Sequence, residues 1–240
     1  MLAATLGYDA IVGVAIVLLG VGIGFSTGIL APTTAVAQDI AELPAYSGMW
    51  LRIVSFFLFY AVTAAYIIWY GERCKKDPKK SVIYGVEGAK NMTSAALIVG
   101  LGATVALILQ SAKVLDTVVY GLANMLSLFP NFLKPAVMLI MNVIVNGFVT
   151  SGTGQAAVVM PVMVPLADVA GVTRQTAVLA YKFGDGFCNY VLPHASALMG
   201  FLGATGIGYD RWMKFMGKLF GIWMLLGSAI LIFGYFVQYA

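Results

Sequence analysis

Residues 53–70 (IVSFFLFYAVTAAYIIWY) and 219–237 (LFGIWMLLGSAILIFGYFV) are apolar almost throughout and carry no charge. A helix rises 1.5 Å per residue, so a bilayer core about 30 Å thick asks for about 20 such residues. Both stretches predict membrane-spanning helices. Residues 94–109 (SAALIVGLGATVALIL) fit the same reading with some extension. Residues 9–25 begin as a span but end in glycines, followed by an interruption over 26–34. Another pattern follows further on: PAVMLIMNVIVNGFV (135–149), TSGTGQ (150–155) and AAVVMPVMVPLAD (156–168). Each apolar arm is short for a span, and the tip between them is uncharged. This predicts a re-entrant hairpin of two half-helices. The alternative is one long helix kinked at its glycines. Gly152 and Gly154 around Thr153, with Pro161 and Pro165 beyond, favour the hairpin. Its non-helical tip is tolerable only where protein or a water-filled cavity satisfies the backbone. Segment 112–134, broken by Asp116, Asn124 and Pro130, predicts a helix lying at the membrane interface.

Composition turns these segments into a class. Of 240 residues, 61% are hydrophobic and 10% charged, with mean hydropathy +0.92. Soluble domains carry roughly 25% charged residues. The chain therefore reads as an all-α polytopic membrane protein whose first partner is the lipid bilayer. The formal net charge of +4 does not point to nucleic acid, because the cations cluster beside apolar runs. Cys74, in a basic loop, and Cys188, in a broken apolar segment, suggest neither a disulfide framework nor a metal site. The start of the chain lacks the basic region of a signal peptide. Asn91-Met92-Thr93 matches a glycosylation sequon, a pattern short enough to arise by chance.

Charge also orients the chain. The loop 71–90 holds Arg73, Lys75, Lys76, Lys79, Lys80 and Lys90 against Glu72, Asp77 and Glu87. By the positive-inside rule it is cytoplasmic. Five crossings follow, those at 9–34 and 175–205 being interrupted, and the hairpin opens and closes on the outside. Arg211, Lys214 and Lys218 then fall on the cytoplasmic side, as the rule requires.

The two interruptions share a phrase. GIGFSTGILAPTTAVAQ (22–38) and GDGFCNYVLPHASALMG (184–200) both open Gly-x-Gly-Phe, and both reach a proline before a Ser/Thr/His cluster. They cross in opposite directions and so look like an inverted repeat. Interrupted helices at matching places are the best sequence pointer to the binding site of a secondary transporter. A break frees backbone groups, and the half-helix ends carry partial charges that suit anionic groups or coupling cations. Pro32 and Pro193 would hold the breaks open. Ser26, Thr27, Thr33, Thr34, Asn189 and Ser196 would offer oxygens at no charge cost. The bland alternative is a pair of packing kinks, since Pro, Gly, Ser and Thr are common in membrane helices.

Asp185 is the acid closest to a break. It is either an ion or proton ligand, or the partner of Lys182 on the same helical face. His194, the one histidine, is either a relay or substrate contact, or a neutral ring bonded to freed backbone. It has no second His or carboxylate at ligand spacing, which argues against a metal beyond a possible Na⁺ site. Asn146 either faces the site or bonds across helices. Asp168, Arg174 and Lys182 read as interface anchors, and Trp212, Trp223 and Tyr235 as lipid or packing contacts. An intramembrane enzyme using Asp185 and His194 lacks an evident nucleophile, so the chain reads as no enzyme.

The stretch TSGTGQAAVVMPVMVPLADVAGVTRQTAVLAYKFGDGFCNYVLPHASALMGFLG, followed by YDRWMKF, resembles the C-terminal signature of the C4-dicarboxylate anaerobic carrier (DcuC/YfcC-like) family of the ion transporter superfamily. LGYDAIVGVAIVLLGVGIGFSTGILAPTTAVAQDIAELPAYSGMWLRI resembles the matching part of that family's first repeat. The resemblance implies an inverted-repeat secondary transporter with interrupted helices, working as a homodimer with elevator-like transport regions. It would carry a small carboxylate or amino acid by symport or antiport, coupled to Na⁺ or H⁺, across a bacterial cytoplasmic membrane. By motif position, Ser151, Thr153 and Gln155 fall at the second hairpin tip, and Asn189, Pro193, His194 and Ser196 in the second interrupted helix. Ser26, Thr27, Pro32 and Thr33 fall in the first. His194 stands where the family has Thr or Ser. Family members are longer, so residues 1–80 read as a partial first repeat and 81–240 as a partial second one. The first hairpin and the helices between the repeats are expected to be missing, as in a shortened member or fragment.

Overall fold

A computed structural model describes residues 8–81, 114–149 and 151–240, with isolated positions at 101, 104, 108, 111 and 112. The expected span at 94–109 and the sequon at Asn91 lie outside the described residues, apart from isolated positions. Among the described residues the secondary structure is helical, with no strand. In order these are α1 (Ala10–Thr27), α2 (Pro32–Ile40), α3 (Met49–Lys76), α4 (Val114–Leu126), α5 (Lys134–Asn146), α6 (Gly152–Ala170), α7 (Arg174–Cys188), α8 (Ser196–Thr205) and α9 (Tyr209–Phe236). Short 3₁₀ turns at Pro78–Lys80 and Asn131–Leu133 follow α3 and precede α5. Four described helical stretches are long and apolar enough to cross a membrane: Ala10–Ile40, Met49–Lys76, Gly152–Ala170 and Tyr209–Phe236. The protein is a polytopic membrane protein.

Local signals set the ends of these helices. Asp9 caps α1 by accepting from the Val12 N–H at 3.0 Å, and Gly28 ends it at φ 65°. Gly28 is needed twice over, because a Cβ there would also lie 2.4 Å from Thr34 Oγ1. Pro32 opens α2 and Thr173 caps α7. The two expected interruptions are therefore real: helix stops between Thr27 and Pro32, and again between Cys188 and Ser196. The outer spans are longer than the apolar pattern suggested. α3 runs on through Arg73, Lys75 and Lys76, so Cys74 is a buried helical residue and not part of a loop. Cations in the last turn favour a helix C-terminus, and so the charge did not stop it. α9 likewise starts ahead of its apolar core and includes Arg211, Lys214 and Lys218.

Helices α3 and α9 pack antiparallel. The Tyr66 hydroxyl donates to Phe215 O at 2.9 Å and Trp223 Nε1 donates to Thr63 Oγ1 at 2.9 Å. This puts the basic end of α3 at the same end as the basic start of α9, so the cations of both helices gather on one face. α1 starts there too, with Tyr8 donating to Glu72 at 2.7 Å and Tyr70 to Asp9 at 2.8 Å. The opposite end is tied by Arg174, which pairs with Glu42 at 2.7 Å and Asp168 at 2.8 Å. These carboxylates raise the Arg174 guanidinium above the ordinary arginine range. Beneath that end, Gln38, Ser47, Arg52, Gln175 and Tyr239 form a polar nest. Arg52 is fully buried there, and its Nε and Nη1 have no partner among the described residues.

Between the two ends lies an aromatic layer. Phe59 packs edge-on against Phe183 and Phe187 at 5.2 and 5.0 Å, and Trp223 closes it against Phe187 at 5.3 Å. Trp212 and Trp223 are buried packing residues. α7 is buried along almost its whole length, wrapped by α1, α2, α5, α6 and α9. It is the central post of the fold.

Candidate functional site

The two phrases meet face to face. A Cβ on Gly22 would strike the Tyr190 ring, one on Gly186 would lie 2.3 Å from Ser26 Cα, and one on Gly28 2.9 Å from Lys182 Cε. These contacts pair ascending positions in one phrase with descending positions in the other. The two broken helices therefore cross antiparallel, at the points where the Gly-x-Gly motifs strip away side chains.

The hairpin inserts beside this crossing. α5 ends at Asn146 and α6 begins at Gly152, with Gly147 and Phe148 forming a turn between them. The expected tip at 150–155 is corrected by this: Thr153, Gly154 and Gln155 already belong to the first turn of α6, which Ser151 caps. α6 also continues unbroken through Pro161 and Pro165. The arms are locked by amides. Gln155 Nε2 donates to Asn142 O and Oδ1 at 3.0 and 3.1 Å, and Asn146 Nδ2 donates to Gln155 Oε1 at 2.6 Å. Gly184 lets α7 approach this lock, for a Cβ there would sit 2.3 Å from that of Asn142.

At the junction stands a buried ion pair. Lys182 Nζ lies 3.1 Å from Asp185 Oδ2, and the two side chains are 0% and 1% exposed. Lys182 also donates to Thr33 Oγ1 at 2.7 Å, and its ammonium rests 4.0 Å above the Phe25 ring. Asn146 Nδ2 approaches Asp185 Oδ1 at 3.4 Å. Gly152 faces the same carboxylate: a Cβ there would lie 3.0 and 3.2 Å from its oxygens and 3.0 Å from Thr33 Cγ2. The Tyr181 hydroxyl donates to Gly152 O at 2.6 Å and pins the tip down. One cation and one anion thus sit where both breaks and the hairpin converge. By helix rise, Asp185 is roughly 16 Å from the start of α7, about half a bilayer core.

The sequence-derived candidates divide into three groups. Thr33, Asn146, Gln155 and Asp185 are brought together. Ser26 and Thr27 are buried close by, but their hydroxyls bond back to Gly22 O and Ile23 O at 2.8 Å. Asn189 holds Asp185 O at 2.9 Å from within the second break. His194 Nε2 lies 2.9 Å from Gly147 O, which ties the break to the hairpin turn, while its Nδ1 has no partner among the described residues. Pro193 stands mid-break. Ser151 and Thr153 are exposed at the hairpin tip, and Pro32 and Ser196 are exposed at the starts of α2 and α8. Lys182 is a correction. It is no interface anchor, since it is fully buried and its ammonium is shared by Asp185, Thr33 and Phe25. Its spacing of one turn from Asp185 was the signal. Asn142 and Tyr181 carried no signal, because their roles arise from partners on other helices, and Gly152 was legible as part of the hairpin but not as a neighbour of Asp185.

The model of a family described as C4-dicarboxylate anaerobic carrier matches this chain over residues 2–85 and 79–236. The chain belongs to the C4-dicarboxylate anaerobic carrier family. Among curated relatives, "Putative basic amino acid antiporter YfcC" of Escherichia coli is 28% identical over 95% of the chain and 62% of its own length. An uncharacterised protein of Haemophilus influenzae is 24% identical over 95% of the chain and 60% of its own length. The chain thus spans about three-fifths of these relatives. The first alignment runs over 314 residues, longer than this carrier-family chain itself, so the relative holds internal segments this chain lacks. The two family matches overlap at residues 79–85. No solved structure matches the chain.

Proposed function

We propose that the chain acts in ion-coupled secondary transport of a small carboxylate or amino acid across a bacterial cytoplasmic membrane. The solute would bind at the junction of the hairpin tip and the two broken helices. The observation that carries this reading is the fully buried Lys182–Asp185 pair, about 16 Å along α7 by helix rise, touched by Thr33 at the start of α2 and Gly152 at the start of α6. Charged side chains inside a membrane cost several kcal/mol and mark solute or ion pathways. The family supports carriage rather than catalysis, and His194 bonds to Gly147 rather than joining Asp185. H⁺ or Na⁺ is the coupling ion, and it binds apart from the Lys182–Asp185 pair, at oxygens of the two breaks. The hairpin and α7 move as a unit in an elevator-like step within a homodimer, and the basic end of α3 faces the cytoplasm. The re-entrant reading of the hairpin is supported by its tip packing on Asp185 while the last turn of α6 is held at the Arg174 end.

A second reading is favoured by one observation: the relatives are longer, internally as well as overall. In that reading the chain is a non-transporting carrier fragment or assembly subunit. Reconstitution into proteoliposomes separates the two. Carriage predicts saturable uptake or exchange of a labelled dicarboxylate or amino acid, driven by a Na⁺ or H⁺ gradient and lost in Asp185→Asn. Folded protein in liposomes with no flux above protein-free controls would favour the fragment.

A further inference from the structure

This inference rests on the carrier reading and names the solute's head group. Among the described residues the fully buried charged side chains are Arg52, Lys182 and Asp185. Arg52 belongs to the nest at the Arg174 end, bonded to Ser47 O. The candidate site therefore holds one positive and one negative group in contact, with no net charge. An unpaired charge at such depth is far costlier than a paired one.

We infer that this site takes a zwitterionic α-amino acid head group, with its carboxylate on Lys182 and its ammonium on Asp185. Such a solute separates one internal ion pair and makes two new ones, so the buried charge still sums to zero. A dicarboxylate brings two negative charges beside Asp185, with Lys182 alone to answer them. A simple amine leaves Lys182 facing a second cation. The unused bonding capacity suits the zwitterion. Lys182 has three ammonium protons, of which Asp185 and Thr33 take two while the Phe25 face holds only a weaker π contact. A carboxylate oxygen is the stronger acceptor and would displace that contact. Asp185 accepts from Lys182 at one oxygen and only a long 3.4 Å bond from Asn146 at the other. An ionised carboxylate accepts about four hydrogen bonds, so sites remain for an ammonium. Gly152, at the start of α6, closes directly over those oxygens, so the exposed hairpin tip must move off Asp185 to admit the solute.

The test is thermal unfolding of the detergent-purified chain against matched probes at equal concentration. These are a panel of α-amino acids, the methyl ester, N-acetyl derivative and decarboxylated amine of each binder, and succinate. The expected result is a saturable rise in midpoint with at least one α-amino acid. Its three derivatives and succinate should bind at least tenfold more weakly. The double variant Lys182→Met/Asp185→Leu, which removes both charges together, should stay folded and lose the shift. If succinate, an N-acetyl derivative or an amine shifts the midpoint as strongly, the zwitterion assignment is overturned and the carrier reading stands. If the folded chain responds to no solute, both are overturned. If the double variant keeps the full shift, the head group binds elsewhere and the assignment to Lys182 and Asp185 fails.

Discussion

Gly186 and Ser26 decide how closely the two broken helices approach. With 2.3 Å between a Gly186 Cβ and Ser26 Cα, the obstacle is backbone, which cannot swing aside as a long side chain would. Gly186→Ala should therefore cost about 1–3 kcal/mol, as overpacked cores do. Gly20→Ala, with nothing within 4 Å, should cost nothing and gain up to about 1 kcal/mol of helix propensity. Reversible unfolding in mixed micelles titrated with dodecyl sulfate compares the two, and equal losses would sink the close-approach argument. The ion pair obeys the asymmetry of buried charges. Asp185→Asn strands the Lys182 ammonium and should cost about 3–5 kcal/mol, whereas removing both charges in Lys182→Met/Asp185→Leu should be near neutral. The same titration reads both, and a double variant less stable than the single one would mean the pair holds the fold together beyond its own charges.

The hairpin shows which features of an element can be read from sequence and which cannot. Its two arms were legible as apolar runs separated by an uncharged Ser/Gly/Thr segment, but the second is not short: α6 begins inside that segment and is long enough to cross a membrane. Both helix interruptions were legible as well, since Gly28, Pro32 and Pro193 act on the backbone locally. The limits of α6 were misread because Gly152–Gln155 looks like a turn, while Ser151 caps a helix that begins there. The far ends of α3 and α9 were missed because basic residues were taken as loop, although helix termini tolerate them. Lys182 was misplaced for another reason: Thr33 and Phe25, which hold it, are distant in sequence, and only the folded crossing brings them near. The amide lock between the arms is likewise tertiary. Gln155→Ala would strand the bonded groups of Asn142 and Asn146, and should cost about 1–3 kcal/mol. Ser151→Ala, at an exposed cap with a long 3.3 Å bond, should cost less than about 1 kcal/mol. Denaturant midpoints of the two variants check the order, and a larger loss at Ser151 would place the hairpin's stability in its tip.

Across the whole molecule, one axis orders the helices. The Asp9, Lys76 and Arg211 ends gather on one side, and the Glu42, Arg174 and Tyr239 ends on the other. The phrases run in opposite directions along that axis, so each break reaches the middle from a different face. In the carrier proposed above, a solute held between them is offered to either side by a shift of the hairpin and α7 together. Such alternating exposure needs the two faces to lie on opposite sides of the bilayer, and this can be measured directly. The native thiols Cys74 and Cys188 are buried, so engineered cysteines should report with little background. Glu42→Cys, at a position whose side chain is 80% exposed, should react with a membrane-impermeant maleimide on intact cells stripped of their outer membrane. Lys79→Cys, exposed after the basic end of α3, should react only once the membrane is opened. Labelling of both from one side would break the antiparallel crossing of the two phrases as a transmembrane arrangement. With it would go the claim that the Lys182–Asp185 junction lies between two aqueous faces.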